Sequence, residues 1–174
     1  GFNKEDIVQN CFSYHFTPAG MMFDEAAKLL KCTVFPAGGE NSDMQAEIMS
    51  EINTTGYVGI PDFLKIIIEK AEINNLPISN LKKALFSGGP LFPDVAEYFK
   101  SKNIDFYQCY GTADLGLIAY EADIDDGSNG SHRIQCCRCH LQLRSFGINL
   151  SGIVRTLLKT DLMKMSANGL NRAG

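Results

Sequence analysis

A short run of the chain carries an aromatic ring, a glycine, a hydroxyl and a carboxylate almost side by side: Tyr110, Gly111, Thr112 and Asp114. An aromatic ring can stack on a base, and a glycine lets the backbone approach a phosphate. A hydroxyl can donate a hydrogen bond to a phosphate oxygen, and a carboxylate can bind Mg²⁺. Because the run follows an apolar strand predicted over residues 105–108, it is typical of a nucleotide-binding strand end.

A second run of small and turn-forming residues follows the preceding predicted strand: Ser87, Gly88, Gly89 and Pro90. Taken alone, this run is ordinary turn chemistry. In an α/β protein, however, ligands bind in the crevice beyond the carboxyl ends of parallel strands. Two consecutive strand ends with such loops therefore predict a nucleotide site at the carboxyl edge of a sheet.

The elements that would position these runs alternate regularly along the chain. Short apolar segments predict strands over 6–12, 32–36, 57–60, 83–87 and 104–109, and amphipathic segments predict helices over 18–30, 42–52, 62–74 and 93–102. Asn41 or Ser42 could cap the second helix, and Pro61 suits the first position of the third. This alternation predicts an α/β fold, with a mostly parallel sheet of about five strands flanked by helices.

The composition is that of an ordinary globular protein, with 45% hydrophobic and 21% charged residues. A net charge of −4 and a pI near 5.3 argue against a nucleic-acid partner. No apolar run approaches the ~20 residues that span a bilayer, so no membrane partner is expected. Without a secretory signal, we expect a cytoplasmic protein with reduced thiols, and Cys11, Cys32 and Cys109 read as small buried hydrophobes.

The sequence changes character after about residue 122. A polar, turn-forming stretch over 123–131 predicts a boundary, and residues 123–174 then read as a divergent tail, either a small extension or poorly ordered. Four potential soft metal ligands crowd together within it: Cys136, Cys137, Cys139 and His140. Zinc sites usually pair two close ligands with two more at a distance, and that second pair is missing here. We therefore predict no metal at this cluster.

Five stretches, in order and spacing, resemble the phenylacetate–coenzyme A ligase family of the adenylate-forming, AMP-binding acyl-CoA synthetase superfamily. They are DIVQNCFSYHFTPAGMMFD (6–24), KCTVFPAGGEN (31–41), TGYVGIPDFLKIIIEKAE (55–72), LKKALFSGGPL (81–91) and QCYGTADLGLIAYE (108–121). The resemblance covers residues 1 to about 122 and corresponds to the middle part of a family member. It implies a subdomain of the large N-terminal domain of adenylate-forming enzymes.

The resemblance also implies an activity. Such enzymes ligate a carboxylic acid, here phenylacetate or a related aryl acid, to coenzyme A through an acyl-adenylate, as in aromatic acid catabolism. The small-molecule partners implied are ATP, Mg²⁺, CoA and the acid. The first step is an in-line displacement at phosphorus, in which positioning and charge neutralisation carry most of the catalysis.

Roles follow by resemblance at matching positions. Tyr110 corresponds to the tyrosine that stacks on adenine, and Asp114 to the acidic residue near Mg²⁺ and the α-phosphate. The remaining nucleotide-binding positions are Ser87, Gly88, Gly89 and Pro90 on the adenine side, with Gly111 and Thr112 beside the phosphate. The implied aryl-acid pocket comprises Tyr14, His15, Phe16, Gly59, Ile60 and Pro61. No residue of this chain is assigned as catalytic.

The sequence also departs from the family. The usual pattern is Tyr-Gly-x-Thr/Ser-Glu, whereas here the hydroxyl of Thr112 comes one place early, Ala113 holds its usual place and Asp114 is shorter than glutamate. The family's phosphate loop and lid lysine have no counterpart in these residues. Losing one charge-stabilising group typically costs ~10²–10³ in rate, so we predict that this chain alone is almost inactive.

Three alternatives remain open. The chain could be a non-catalytic nucleotide- or acyl-binding module or a degenerate remnant, which Ala113 and the divergent tail favour. It could instead adenylate a different acid or a cofactor carboxylate. An incomplete domain would also expose a sheet edge and apolar surface, so self-association, for example as a homodimer, is a further expectation.

Overall fold

The computed structural model describes residues 1–123, 132–136 and 142–144, with side-chain surroundings up to residue 121. The strands are β1 (Ile7–Asn10), β2 (Thr33–Pro36), β3 (Gly56–Gly59), β4 (Lys83–Phe86), β5 (Asp105–Thr112), β6 (Gly116–Asp123), β7 (His132–Cys136) and β8 (Gln142–Arg144). The helices are α1 (Ala19–Leu29), α2 (Ser42–Glu51), α3 (Pro61–Ile73) and α4 (Pro93–Ser101).

These strands form one sheet in the order β2-β1-β3-β4-β5-β6-β7-β8. The pairs from β2 to β5 are all parallel, and those from β5 to β8 are antiparallel. The predicted α/β fold is therefore confirmed: every predicted strand and helix is present, and a parallel core of five strands carries an antiparallel extension.

Local sequence explains where the helices begin and which side they bury. Asn41 caps α2, its side-chain oxygen accepting a hydrogen bond from the Met44 N–H at 3.2 Å. Pro61 occupies the first turn of α3, where its missing N–H costs nothing. The buried residues of α3 recur at helical spacing on one side: Leu64, Ile67, Ile68 and Ala71.

Helices cover the two faces of the sheet unequally. On one face, α2, α3 and α4 pack on β3 and β4 around Tyr57, Phe86 and Phe99, which are almost fully buried. On the other face, α1 packs on β1 and β3 through a smaller cluster that includes Val8 and Val58. The larger core thus lies under the α2–α4 layer.

One element differs from the sequence prediction. The run Tyr110–Thr112, expected as a loop beyond a strand over 104–109, continues β5 and pairs with β6 as a hairpin. The prediction was wrong here because the antiparallel partner, β6, went unrecognised. A register shift between Tyr110 and Gly111 marks the point where the antiparallel pairing becomes irregular.

Strands β7 and β8 lie inside the region predicted as a divergent tail, so part of that region extends the sheet. The predicted boundary near 123–131 remains a prediction. The side chains of the Cys136–His140 cluster lie outside the described surroundings, as do residues 145–174. In the part of the chain that the structure describes, no helix is long and apolar enough to cross a bilayer, and no three His, Cys, Asp or Glu side chains could share a metal ion.

Candidate functional site

A cleft of about 150 Å³ lies at the carboxyl edge of the parallel strands. Its lining includes Ser87 and Gly88, which follow β4, and Gly111 and Thr112, which end β5. The parallel register that pairs Phe86 with Gln108 brings these strand ends side by side. The structure therefore brings together the two runs whose chemistry suggested a nucleotide site.

The opposite wall comes from the segment that joins β1 to α1. Thr17, Pro18 and Ala19 line the cleft there. Phe12 and Phe23 line it as well and stack on each other, with ring centroids 4.8 Å apart and an interplanar angle of 19°. The wall at the strand ends thus carries the Ser87 and Thr112 hydroxyls, and the wall opposite is mostly apolar.

The chemistry of the cleft follows from its lining. Hydroxyls are supplied by Thr17, Ser87 and Thr112, while the apolar surface comes from aromatic and aliphatic side chains. None of the described side chains that line it is charged. The cleft suits an apolar ring and neutral hydrogen-bonding groups, and a highly charged group would need cations from elsewhere.

The tip of the β5–β6 hairpin forms one rim of this cleft. The Thr112 hydroxyl accepts a hydrogen bond from the Leu115 N–H at 3.2 Å, which leaves its own proton free to donate. Asp114, in the turn, is exposed. At Gly111, an added Cβ would lie 2.7 Å from the Gly116 backbone oxygen, so only glycine allows this close pairing.

The other predicted nucleotide residues surround the cleft without lining it. Gly89, Pro90, Tyr110 and Asp114 are absent from its lining. Tyr110 is half-buried and follows Cys109, whose side chain faces the α1 side of the sheet. Strand alternation therefore turns the Tyr110 ring toward the α4 side, next to the cleft rather than inside it.

The predicted aryl-pocket residues Tyr14, His15 and Phe16 do not line the cleft either. The Tyr14 hydroxyl accepts a hydrogen bond from Asn10 Nδ2 at 2.9 Å and donates one to Asp24 Oδ1 at 3.3 Å. Burial, with the Asp24 carboxylate nearby, raises the pKa of Tyr14 to about 12, so this phenol stays neutral. Phe16 is fully exposed.

The turn after β3 lies on the other side of the Ser87–Pro90 loop. Gly59 and Pro61 are buried, and Ile60 is exposed against that loop. A Cβ at Gly89 would lie 3.1 Å from the Ile60 side chain. The Tyr57 hydroxyl donates a hydrogen bond to the Ile60 carbonyl at 3.0 Å and supports this turn from beneath.

Sequence reasoning missed the residues that form the apolar wall: Phe12, Thr17, Pro18, Ala19, Met22 and Phe23. A signal was present, because they flank the predicted pocket residues 14–16 and begin a helix directly after a strand end. The spacing could not reveal that the 14–16 side chains turn away from the cleft while the next three residues turn toward it.

A second, larger groove of about 510 Å³ runs along the α1 face of β4, β5 and β6. Its apolar lining includes Phe2 and Leu85, and it shares Phe23 and Leu117 with the cleft. Its charged lining comes from Lys83 and Asp105, at the amino ends of their strands, and from Glu121 on β6. The cleft therefore adjoins an extended apolar surface.

No protein-family model and no curated protein matches this chain. Solved structures share its fold. One is 2-hydroxyisobutyryl-CoA ligase in complex with 2-HIB-AMP and CoA, with a TM-score of 0.61 and 18% identity over 78% of this chain and 37% of that one. Another is a long-chain-fatty-acid-CoA ligase (FadD1) from Archaeoglobus fulgidus, with a TM-score of 0.52 and 15% identity over 78% of this chain and 35% of that one. A third is the N-terminal domain of FACL13 from Mycobacterium tuberculosis, with a TM-score of 0.58 and 14% identity over 78% of this chain and 41% of that one.

These similarities show that the chain has the fold of a part of the CoA ligases. The chain spans 37% of the 2-hydroxyisobutyryl-CoA ligase chain. The phenylacetate family and the acid itself remain predictions.

Proposed function

We propose that this chain is part of an ATP-dependent acid–CoA ligase that works through an acyl-adenylate, with phenylacetate or a related aryl acid as the acid. The observation that carries the proposal is the cleft where the β4 and β5 ends meet. It lies in a fold shared with a CoA ligase solved with an acyl-AMP and CoA. The five collinear sequence stretches favour the phenylacetate family within that group.

The lining of the cleft supports an aromatic acid. Phe12 and Phe23 stack beside Met22 and Leu117, which gives a ring-sized apolar surface next to hydroxyl groups. An aromatic ring would bury its faces there, and its carboxylate would point toward the strand ends. The adenine would lie beside the cleft, between the Ser87–Pro90 loop and the Tyr110 ring.

The hairpin tip could act on the phosphate. Thr112 would donate its hydroxyl proton to an α-phosphate oxygen, taking the role that the family gives to the following residue. Asp114 alone fits Mg²⁺ only as one ligand among several, because Mg²⁺ is usually held by one or two carboxylates together with substrate phosphates and water. When bound, Mg²⁺ would neutralise phosphate charge at this rim.

The uncharged cleft also bears on activity. With no cation in the described lining, the triphosphate must be neutralised by groups outside it. We therefore expect at most trace acyl-CoA formation by the 174-residue chain alone. Robust acyl-CoA formation by this chain would overturn that expectation.

Calorimetric titration with AMP and with ATP–Mg²⁺ tests the site. Tyr110→Ala should weaken AMP binding about 5- to 150-fold, since stacking on one base contributes ~1–3 kcal/mol. Asp114→Ala should weaken ATP–Mg²⁺ while leaving AMP nearly unchanged. Asp105→Ala, exposed at the opposite end of β5, is the matched control and should leave both affinities intact. Absence of AMP binding by the unaltered chain would withdraw the site.

A non-catalytic nucleotide- or acyl-binding module is the second candidate, favoured by the uncharged lining of the cleft. A ligase site must hold acid and nucleotide together, so the chain saturated with AMP should still bind phenylacetate. A simple nucleotide module would bind AMP and show no heat with phenylacetate under the same conditions.

A further inference from the structure

Asn10 is a buried hydrogen-bonding hub at the carboxyl end of β1. Its side chain is 1% exposed, and Nδ2 donates to the Tyr14 hydroxyl at 2.9 Å and to the Gly20 carbonyl at 2.8 Å. Its Oδ1 accepts a hydrogen bond from the Phe12 N–H at 3.2 Å. Both amide protons and the amide oxygen are therefore used. One bond reaches into the segment that follows, at Tyr14, and one spans it to Gly20.

That segment, residues 13–18, has little packing of its own. Ser13, His15, Phe16 and Thr17 are exposed, so apolar burial cannot hold them. Its ends are joined by a hydrogen bond from the Gly20 N–H to the Ser13 carbonyl at 3.1 Å. Within the segment, Ser13 bonds with the His15 backbone, and Thr17 donates to the Ser13 carbonyl. The side-chain contacts that tie the segment to the rest of the fold are those of Tyr14 with Asn10 and Asp24.

The contact at Gly20 leaves little freedom. A Cβ there would lie 2.6 Å from the Ser13 carbonyl oxygen and 2.9 Å from the Tyr14 ring. The segment therefore lies directly against the first turn of α1. Tyr14 adds a second connection to α1 through Asp24, whose carboxylate also forms an ion pair with Lys28 at 2.5 Å.

We propose that Asn10 is the positioning residue that holds segment 13–18 as a preformed wall of the cleft. It does not line the cleft itself and acts through Tyr14 and Gly20. Thr17 and Pro18, at the end of this segment, are the residues that contact the cleft space. A wall held in place before binding spares a ligand the entropy cost of ordering it.

The proposal concerns the wall and rests on the proposed function only for the choice of ligand. Hydrogen exchange of the full 174-residue chain tests the wall without any ligand. Asn10→Ala should raise amide exchange in a peptide covering residues 13–20 at least severalfold more than in peptides from α3. Asn10→Leu, which keeps the size and removes both donors without adding a charge, should behave in the same way.

The matched control is Thr54→Val, which changes another buried polar residue, two positions before β3. Thr54 is 1% exposed and donates a hydrogen bond to Gln9 Oε1 at 3.2 Å. Loss of this hydrogen bond should destabilise the fold without selectively raising amide exchange in residues 13–20. If the Asn10 variants and Thr54→Val raise exchange uniformly over the chain, Asn10 has only a general structural role and the proposal fails.

Tyr14→Phe keeps the test decisive if Asn10→Ala does not fold. It removes one bond to Asn10 and the bond to Asp24, leaves the Gly20 contact, and should give a smaller increase confined to residues 13–20. Unchanged exchange there would overturn the proposal.

Titration with AMP and phenylacetate gives the second readout. For a chain that binds them, Asn10→Leu should weaken phenylacetate about 3- to 10-fold, the loss expected of one or two neutral hydrogen bonds, and Thr54→Val should not. Equal weakening by both variants would contradict a positioning role. If the unaltered chain binds neither ligand, the proposed function fails. The exchange result still tests whether Asn10 holds segment 13–18 in place.

Discussion

At the scale of single residues, substitutions of two tyrosines on the α2–α4 side, each with a buried hydroxyl, should have opposite effects on stability. Tyr57 is fully buried, and burial raises the pKa of its hydroxyl well above the usual value, so it stays a neutral donor to Ile60. Tyr57→Phe should lower the free energy of unfolding by about 1 kcal/mol. Urea denaturation measures this loss, and an unchanged midpoint would contradict the supporting role of the hydroxyl.

Tyr98→Phe is the matched control for that experiment. The Tyr98 hydroxyl is buried, and the described residues offer it no hydrogen-bond partner. Removing an unpaired buried hydroxyl relieves a desolvation cost, so the same measurement should show unchanged or slightly increased stability. A loss equal to that of Tyr57→Phe would mean that both substitutions act only through packing.

A second residue-scale prediction concerns acid stability. Burial raises the pKa of Asp6, but hydrogen bonds from Lys83, from the Asn3 N–H and from Thr55 outweigh it, and the pKa lies below its ordinary value of 3.8. A carboxyl with a depressed pKa stabilises the fold above its unfolded pKa, and this contribution is lost as pH falls through the folded pKa. Asp6→Asn should therefore cost roughly 1–3 kcal/mol at pH 7 and flatten the loss of stability below about pH 4.

Lys83→Met provides the complementary variant. Lys83 Nζ lies 2.8 Å from Asp6 Oδ2, and its removal leaves the buried carboxylate without this cation. Unfolding by urea at several pH values should show a loss at neutral pH and a smaller further loss in acid than the unaltered chain shows. An unaltered acid profile in both variants would remove this pair as a source of pH dependence.

Some residues of the candidate site could be predicted from the sequence and others could not. The glycine and hydroxyl residues at the ends of β4 and β5 were predictable, because residue type and strand order place them at one edge. The orientation of Tyr14 was not, because it depends on a buried asparagine and a helix residue ten positions later. Side-chain hydrogen bonds of this kind leave no periodic signal in the sequence.

At the scale of elements, the start of α2 supplies a test of helix capping. Asn41 has a φ of 53° and caps the helix through Met44. Asn41→Ala loses the cap and places alanine in a left-handed conformation, so it should destabilise the fold by about 1–2 kcal/mol.

Asn41→Gly separates the two contributions. Glycine also loses the side-chain bond but adopts positive φ without strain, and the expected loss is only a few tenths of a kcal/mol. Thermal or urea unfolding compares the two variants. If glycine costs as much as alanine, the hydrogen bond dominates and the backbone conformation contributes little.

Element prediction succeeded where periodicity was strong and failed where pairing decided the outcome. The βαβ units from β1 to β5 follow from apolar runs, a helix cap and Pro61, all local signals. The β5–β6 hairpin pairs Gly111 with Leu117 and Thr112 with Gly116, and it brings Gly111 close to the Gly116 backbone oxygen. The residues of the hairpin turn also suit a ligand-binding loop, so their composition could not distinguish the two structures.

At the scale of the whole molecule, the coverage of the sheet is lopsided. On the α1 face, the groove along β4–β6 is mostly apolar, and α1 itself carries exposed apolar side chains, with Leu29 84% and Met21 62% exposed. We expect concentration-dependent self-association through this side. Leu29→Lys combined with Met21→Lys should shift sedimentation toward monomer, whereas Ile73→Lys, 72% exposed at the end of α3, should not. A monomer at all concentrations would contradict the expectation.

The strand order also determines when each strand can pair while the chain is being synthesised on the ribosome. Strand β1 lies between β2 and β3, and Ile7 reaches Thr55, 48 residues further along the chain, to complete its second side. At about 5–20 residues per second, that partner emerges roughly 2–10 s after β1. For that interval the nascent chain presents Val8 and its neighbours on an unpaired apolar strand edge. Chaperone capture during translation should therefore concentrate between the emergence of β1 and that of β3.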